Sequence, residues 1–203
     1  MTSPECSNNR NGNLLARRMT EQTDEEIAAK VQRGDTDIFG VLVGRYESKI
    51  MRYANKFLYA YQDREDAVQE VFIKAYQNIQ SFRTHDRFSP WIYRIAHNTF
   101  LNVVRKQSRE KVHLFSTDQL FALQIKDQSV EERHEQKQER EILDLCLDKL
   151  DVKYREVLVL YYFEEKDYEE IADILQIPKA TVGVRLARGR KRMKTIYQSI
   201  QTV

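Results

Sequence analysis

Glycine and proline are scarce here, with 6 and 3 among 203 residues. So few chain-breaking residues leave long helices separated by a small number of turns as the natural organisation. Cysteine is also rare: Cys6 and Cys146 stand far apart and outside any metal-ligand spacing. That excludes a disulfide framework and a thiolate metal site, and it fits a reduced, cytoplasmic protein. No apolar run approaches the roughly 20 residues of a membrane span, so direct membrane insertion is not expected. The first residues are polar where a secretory signal needs an apolar core. Residues 1–22, rich in Asn, Ser and Arg, read as a flexible tail. No glycine-rich phosphate loop is present, and the helix that carries Asp66 and Glu70 has no His or Cys at ligand spacing. The sequence therefore implies no cofactor and no metal.

What is present is charge, unevenly placed. The formal net charge is only +2. Yet residues 82–111 carry Arg83, Arg87, Arg94, Arg105, Lys106, Arg109 and Lys111 against only Asp86 and Glu110. Residues 179–194 carry Lys179, Arg185, Arg188, Arg190, Lys191, Arg192 and Lys194 with no acid at all. An acidic excess lies between them. Two basic blocks in a near-neutral chain suggest two footprints on a polyanion, the plainer alternative being two solvated helix faces.

Apolar spacing predicts an all-α fold. Thr23 and Glu26 form a capping-box pattern ahead of Ile27 and Val31. Phe39, Leu42, Val43, Tyr46, Ile50, Tyr53, Ala54 and Phe57 recur at helical spacing. Asp63 is a candidate cap for a helix with Ala67, Val68, Val71, Phe72, Ala75, Tyr76 and Ile79 on its inner face. Ser89 followed by Pro90 suggests the start of another helix, running to about Lys106. These helices make one compact domain, 23–111. The pattern fails over 112–137, read as a flexible linker; fully extended, such a segment reaches about 86 Å, enough to set two domains on separate parts of one DNA. Periodicity returns over 138–203. There 168–175, a tight turn at 176–178 and a basic helix from Lys179 fit a helix-turn-helix. The expected architecture is two small helical domains joined by a flexible linker.

Three faces stand out. Thr181, Val184, Arg185 and Arg188 lie on the helix that would enter a major groove, with Lys179 at its start. Arg190, Lys191, Arg192 and Lys194 extend its charge toward flanking phosphates. Arg94, Asn98, Asn102 and Arg105 fall on one helical stripe, next to Lys106. Asn and Arg suit bidentate contacts with bases and phosphates. Phe82, Phe88, Trp91, Tyr93 and Phe100 interleave with that stripe, the mixture that single-stranded DNA binding uses, although core packing explains such aromatics equally well. Asp66, Gln69, Glu70 and Gln77 form an acidic–amide face suited to a basic partner surface, or simply to water.

These residues resemble the extracytoplasmic-function sigma factors. Asp63-Arg64-Glu65-Asp66-Ala67-Val68-Gln69-Glu70-Val71-Phe72 is similar to that family's signature for the clamp helices of the polymerase β′ subunit. Phe82-Arg83 and Phe88-Ser89-Pro90-Trp91-Ile92-Tyr93-Arg94-Ile95-Ala96-His97-Asn98 resemble the segment that recognises and melts the −10 element. Residues 168–175 and 180–190 resemble the −35-binding helix-turn-helix. The resemblance implies a subunit of RNA polymerase that binds the core enzyme through the β′ clamp helices and the β flap, and promoter DNA through the −10 and −35 elements. It assigns core binding to Asp63, Asp66, Gln69 and Glu70. It assigns −10 contacts to Arg83, Phe88, Trp91, Arg94, Asn98, Asn102, Arg105 and Lys106. It assigns −35 contacts to Lys179, Thr181, Val184, Arg185, Arg188, Arg190, Lys191 and Arg192. It also implies an anti-sigma factor as partner. Gly183 and the run Asn102-Val103-Val104-Arg105-Lys106 depart from the family pattern, so the promoter sequence does not carry over.

Two other classes compete. A free-standing helix-turn-helix regulator explains 179–194 but not 63–72 or 82–105. A nucleic-acid enzyme using Asp66, Glu70 and His97 has no spacing argument behind it.

Overall fold

A computed structural model of the chain describes residues 22–112 and 134–201. The described residues are helical, without strands: α1 (Asp24–Gln32), α2 (Phe39–Ala54), α3 (Tyr61–Asn78), a 3-10 turn (Ile79–Ser81), α4 (Phe88–Val112), α5 (His134–Asp148), α6 (Val152–Tyr162), α7 (Tyr168–Leu175) and α8 (Lys179–Gln201). The all-α expectation holds. Helix α4 continues to Val112 and α5 starts at His134, so helix enters both ends of the segment read as linker. Residues 113–133, with most of that linker, and the tail up to residue 21 lie outside the described residues.

Local chemistry explains the boundaries. The Thr23–Glu26 capping box forms as its pattern predicts, with the Glu26 amide donating to Thr23 Oγ1 at 3.2 Å and the Thr23 amide to the Glu26 carboxylate at 3.1 Å. Two expected caps do not form. Helix α3 begins at Tyr61, so Asp63 sits inside its first turn, where it accepts a 2.7 Å hydrogen bond from Gln107. Helix α4 begins at Phe88, ahead of Ser89, because the Phe88 amide finds its acceptor in Glu25 of α1 at 2.9 Å. A carboxylate from another helix thus replaces the local serine cap.

Helices α1–α4 enclose an aromatic core around Tyr53, whose ring lies 5.1 Å from Phe57, 5.5 Å from Tyr93 and 5.7 Å from Phe100. A second cluster joins Phe82, Phe88 and Trp91 at 5.2–5.4 Å. Edge-to-face and tilted rings at these separations add about 0.5–1.5 kcal/mol per pair beyond area burial. Because Phe100 is fully buried, Phe100→Ala is expected to cost about 3–5 kcal/mol in urea unfolding; a loss under about 1 kcal/mol would contradict this packing.

In the second half, α8 packs along α6. Gly189 permits that approach, since a Cβ there would lie 3.2 Å from Leu158 Cδ1 and 3.4 Å from Tyr154 Cβ. The turn between α7 and α8 passes through Gln176 in the left-handed region (φ 53°), which lets the chain reverse and bring Ile177 onto Ala172. The two halves are packed together, α4 lying against α7 and the α6–α7 loop, and one hydrophobic core cluster includes residues of both. A chain read as two domains spread along DNA is here closed on itself.

Candidate nucleic-acid interface

Helix α4 turns Ile92, Tyr93, Ala96 and Phe100 inward, and helical geometry then carries the predicted stripe to the opposite side. Asn98, Asn102, Arg105 and Lys106 are exposed and Arg94 is partly exposed. Arg83, on the loop before α4, is exposed as well. The stripe forms as expected. Two of its assigned neighbours do not belong to it. Phe88 is fully buried against Tyr46, Phe82 and Trp91, and Trp91 is 9% exposed. Both rings are core, held there by the gain from burying large aromatic surface. Neither can stack on a base in this arrangement.

On α8, Lys179, Val184, Arg188, Arg190, Lys191 and Arg192 are exposed, and Thr181 is partly exposed. Val182 and Leu186 face inward. Arg185 is partly covered, its guanidinium 2.6 Å from the buried Glu156 carboxylate. Lys179 pairs with Glu169 across the helix-turn-helix, and Arg192 with Asp151 at 2.7 Å while covering the Tyr154 ring. Exposed pairs of this kind contribute little to stability and exchange readily for phosphates.

The N-terminus of α7 is closed by Asp167, which accepts from the Glu169 and Glu170 amides at 2.8 Å each. The Glu170 amide, then burial against it, sets the balance that holds the Asp167 carboxyl below its usual range. A depressed carboxyl contributes stability above its unfolded value, and that contribution is lost as pH falls through the folded value. We predict that the Glu169 and Glu170 amide resonances titrate together below pH 3.8, and that Asp167→Ala costs about 0.5–2 kcal/mol. Titration at or above the ordinary aspartate range would contradict the cap.

On α3, Asp66, Gln69 and Glu70 are exposed on one face, with Asp66 held by Gln62 at 2.9 Å and Glu70 by Lys74 at 2.7 Å. Asp63 is only partly exposed and is shared with Gln107 of α4. Among the described residues no cluster of three His, Cys, Asp or Glu is placed to hold a metal ion.

Two features were missed in the sequence. One is an apolar groove of about 600 Å³ between α5, α6 and α8, floored by Cys146, Leu147 and Leu158 and edged by Arg190 and Lys194. Its wall residues Ile142 and Leu143 stand in the sequence as part of an ordinary amphipathic stripe. The other is a set of polar contacts between the two halves. Glu164 is buried on Arg52 and Tyr93, and Glu156 on His97, pairings between residues too distant in sequence for spacing to disclose.

Residues 42–110 match the family model Sigma-70 region 2, and residues 140–193 match Sigma-70, region 4. The RNA polymerase sigma-H factor of Pseudomonas aeruginosa is 32% identical over 192 residues, covering 90% of this chain and 97% of the relative. The ECF RNA polymerase sigma factor SigW of Bacillus subtilis is 34% identical over 176 residues, 81% of this chain and 91% of the relative. The ECF RNA polymerase sigma-E factor of Escherichia coli is 33% identical over 190 residues, 90% and 98% respectively. Among solved structures, CnrH in complex with the cytosolic domain of CnrY has the same fold, with a TM-score of 0.67 at 24% identity, covering 88% of this chain and 99% of that one. The sigma factor RpoE of Bartonella quintana, solved with the anti-sigma factor NepR, gives 0.63 at 21% identity over 79% and 96%.

The fold, the two basic faces and these matches define a transcription initiation factor of the sigma-70 family. Within that family the chain belongs to the extracytoplasmic-function group.

Proposed function

We propose that this sigma factor docks on core RNA polymerase through α3, opens the −10 element along α4 and anchors on the −35 element through α8. Asp63, Asp66, Gln69 and Glu70 meet the β′ clamp helices, with Asp66, Gln69 and Glu70 offering the open part of that face. The groove between α5, α6 and α8 receives the β flap. Arg83 and Asn98 hold an extruded −10 base, while Arg94, Asn102, Arg105 and Lys106 grip backbone and neighbouring bases. Lys179, Thr181, Val184 and Arg188 read the −35 groove, flanked by Arg190, Lys191 and Arg192 on phosphates. An anti-sigma factor covering these surfaces completes the partner set. The chain acts in the cytoplasm, where core polymerase is, and performs no bond chemistry itself.

The supporting observation is the polar stripe of α4 over Arg94, Asn98, Asn102 and Arg105, on a helix that buries Ile92, Tyr93, Ala96 and Phe100 on its other side. Extruding a base costs a few kcal/mol, and each bidentate contact returns about 1–3 kcal/mol, so three or four such side chains suffice to hold a strand open without the buried aromatics. A free-standing helix-turn-helix regulator needs α8 alone and gives no role to this stripe. Permanganate footprinting separates the two. With core polymerase present, thymines of the −10 element become reactive only when this chain is added; a duplex gel shift without any thymine reactivity would overturn the proposal.

A further inference from the structure

Helix α8 carries two glycines, and packing explains only one of them. At Gly189 a Cβ would stand 3.2 Å from Leu158, so the approach of α6 demands glycine. At Gly183 a Cβ would meet nothing nearer than the edge of the Tyr168 ring, at an ordinary contact distance of 3.5 Å. Its backbone is helical with no positive φ, so left-handed freedom does not require glycine either. Glycine inside a helix is destabilising relative to alanine. A cost that neither the backbone nor the packing imposes points outward, to a surface that α8 must approach closely.

Val184 stands beside this gap. Helical geometry turns it away from the buried Val182 and Leu186, and it is 49% exposed. Arg188 and Lys191, four and seven residues further on, share its face and are exposed. A single exposed valine is ordinary on a protein surface. Set among cations, and next to a turn of helix that lacks a side chain, it matches a ligand with anionic rims and an apolar group on its floor. The major groove of duplex DNA is such a surface, and the apolar group it presents is the 5-methyl of thymine. We infer that Val184 is a specificity residue that reads a thymine through its 5-methyl group, with Gly183 letting the helix come near enough for contact. From Val184 to Arg188 the helix advances about 6 Å, less than two base-pair steps of about 3.4 Å. A thymine for Val184 and a guanine for Arg188, the commonest specific partner of arginine, therefore fall within about two base pairs of each other. The inference rests on the proposed placement of α8 at the −35 element and names the chemistry read there.

The test uses holoenzyme assembled from core polymerase and the full chain, bound to a promoter fragment taken from its own mapped start sites. Each −35 thymine in turn is replaced by deoxyuridine, which removes the methyl group and keeps the base pair. One position, within about two base pairs of a guanine, is expected to lose about fourfold in affinity, the worth of one buried carbon group. Val184→Ala, at an exposed site, is expected to bind the thymine fragment about fourfold or more weakly and to lose nothing further from deoxyuridine at that position. Gly183→Ala is expected to raise the thermal midpoint of the chain while weakening binding to the thymine fragment about fourfold. A merely structural glycine would not move the two in opposite directions. Equal affinity for every deoxyuridine fragment overturns the inference, as does a methyl effect undiminished in Val184→Ala. In both cases promoter binding by the holoenzyme leaves the sigma-factor reading standing. No chain-dependent start site or binding would sink that reading and this inference together.

Discussion

Glu70→Lys is expected to abolish binding to core polymerase, with at least about a hundredfold loss of affinity, while leaving the fold intact. Glu70 sits on the solvent side of α3, where it pairs with Lys74, one turn away at 2.7 Å. An exposed i,i+4 pair is worth about 0.2–0.5 kcal/mol, so its reversal scarcely moves stability. Against a basic partner the same reversal replaces attraction by repulsion at the centre of the Asp66, Gln69 and Glu70 face. Size-exclusion co-elution with purified core, alongside circular dichroism and thermal melting, reads both sides of the expectation. Retained co-elution by a normally folded variant would remove α3 from the interface.

Asn98→Ala is the second large effect, and it separates strand opening from duplex docking. Asn98 is exposed midway along the α4 stripe, next to the buried His97 and Thr99. Losing one bidentate base contact is worth about 1–3 kcal/mol, or about 5- to 150-fold in the population of open complex. On the proposed assignment an isolated −35 duplex meets α8, so binding to it is expected to stay within about threefold. Permanganate reactivity and gel shift on the same promoter fragment give the two numbers. Equal losses in both assays would place Asn98 in a general DNA-binding surface and not in strand capture.

The sequence disclosed these faces well because each is built within one helix. The α4 stripe follows from residue spacing alone, and so does the basic run on α8. It was less informative wherever the deciding partner comes from elsewhere in the chain. Ser89 looks like a helix cap until Glu25, from α1, takes the Phe88 amide. Asp63 looks like another until Gln107 draws it into an inter-helix contact. Phe88 and Trp91 carry a composition typical of base stacking, but tertiary packing commits both rings to the core. Arg185 has the position of a groove-reading residue, yet Glu156 of α6 already holds its guanidinium. Closure of the two halves on each other was the least legible feature. Glu156 reads as one more charge on an α6 that is otherwise mostly apolar, and nothing in its surroundings in the chain announces His97.

The central claim is that this chain directs core polymerase to start transcription at sites carrying two spaced elements. Purified core is incubated with fragmented genomic DNA of the host, with and without the chain, and the 5′ ends of the resulting transcripts are mapped. The account predicts a set of new start sites that appears only with the chain and shares one motif near −10 and another near −35. Start sites identical in the two reactions, with no association between chain and core at micromolar concentrations, would contradict it.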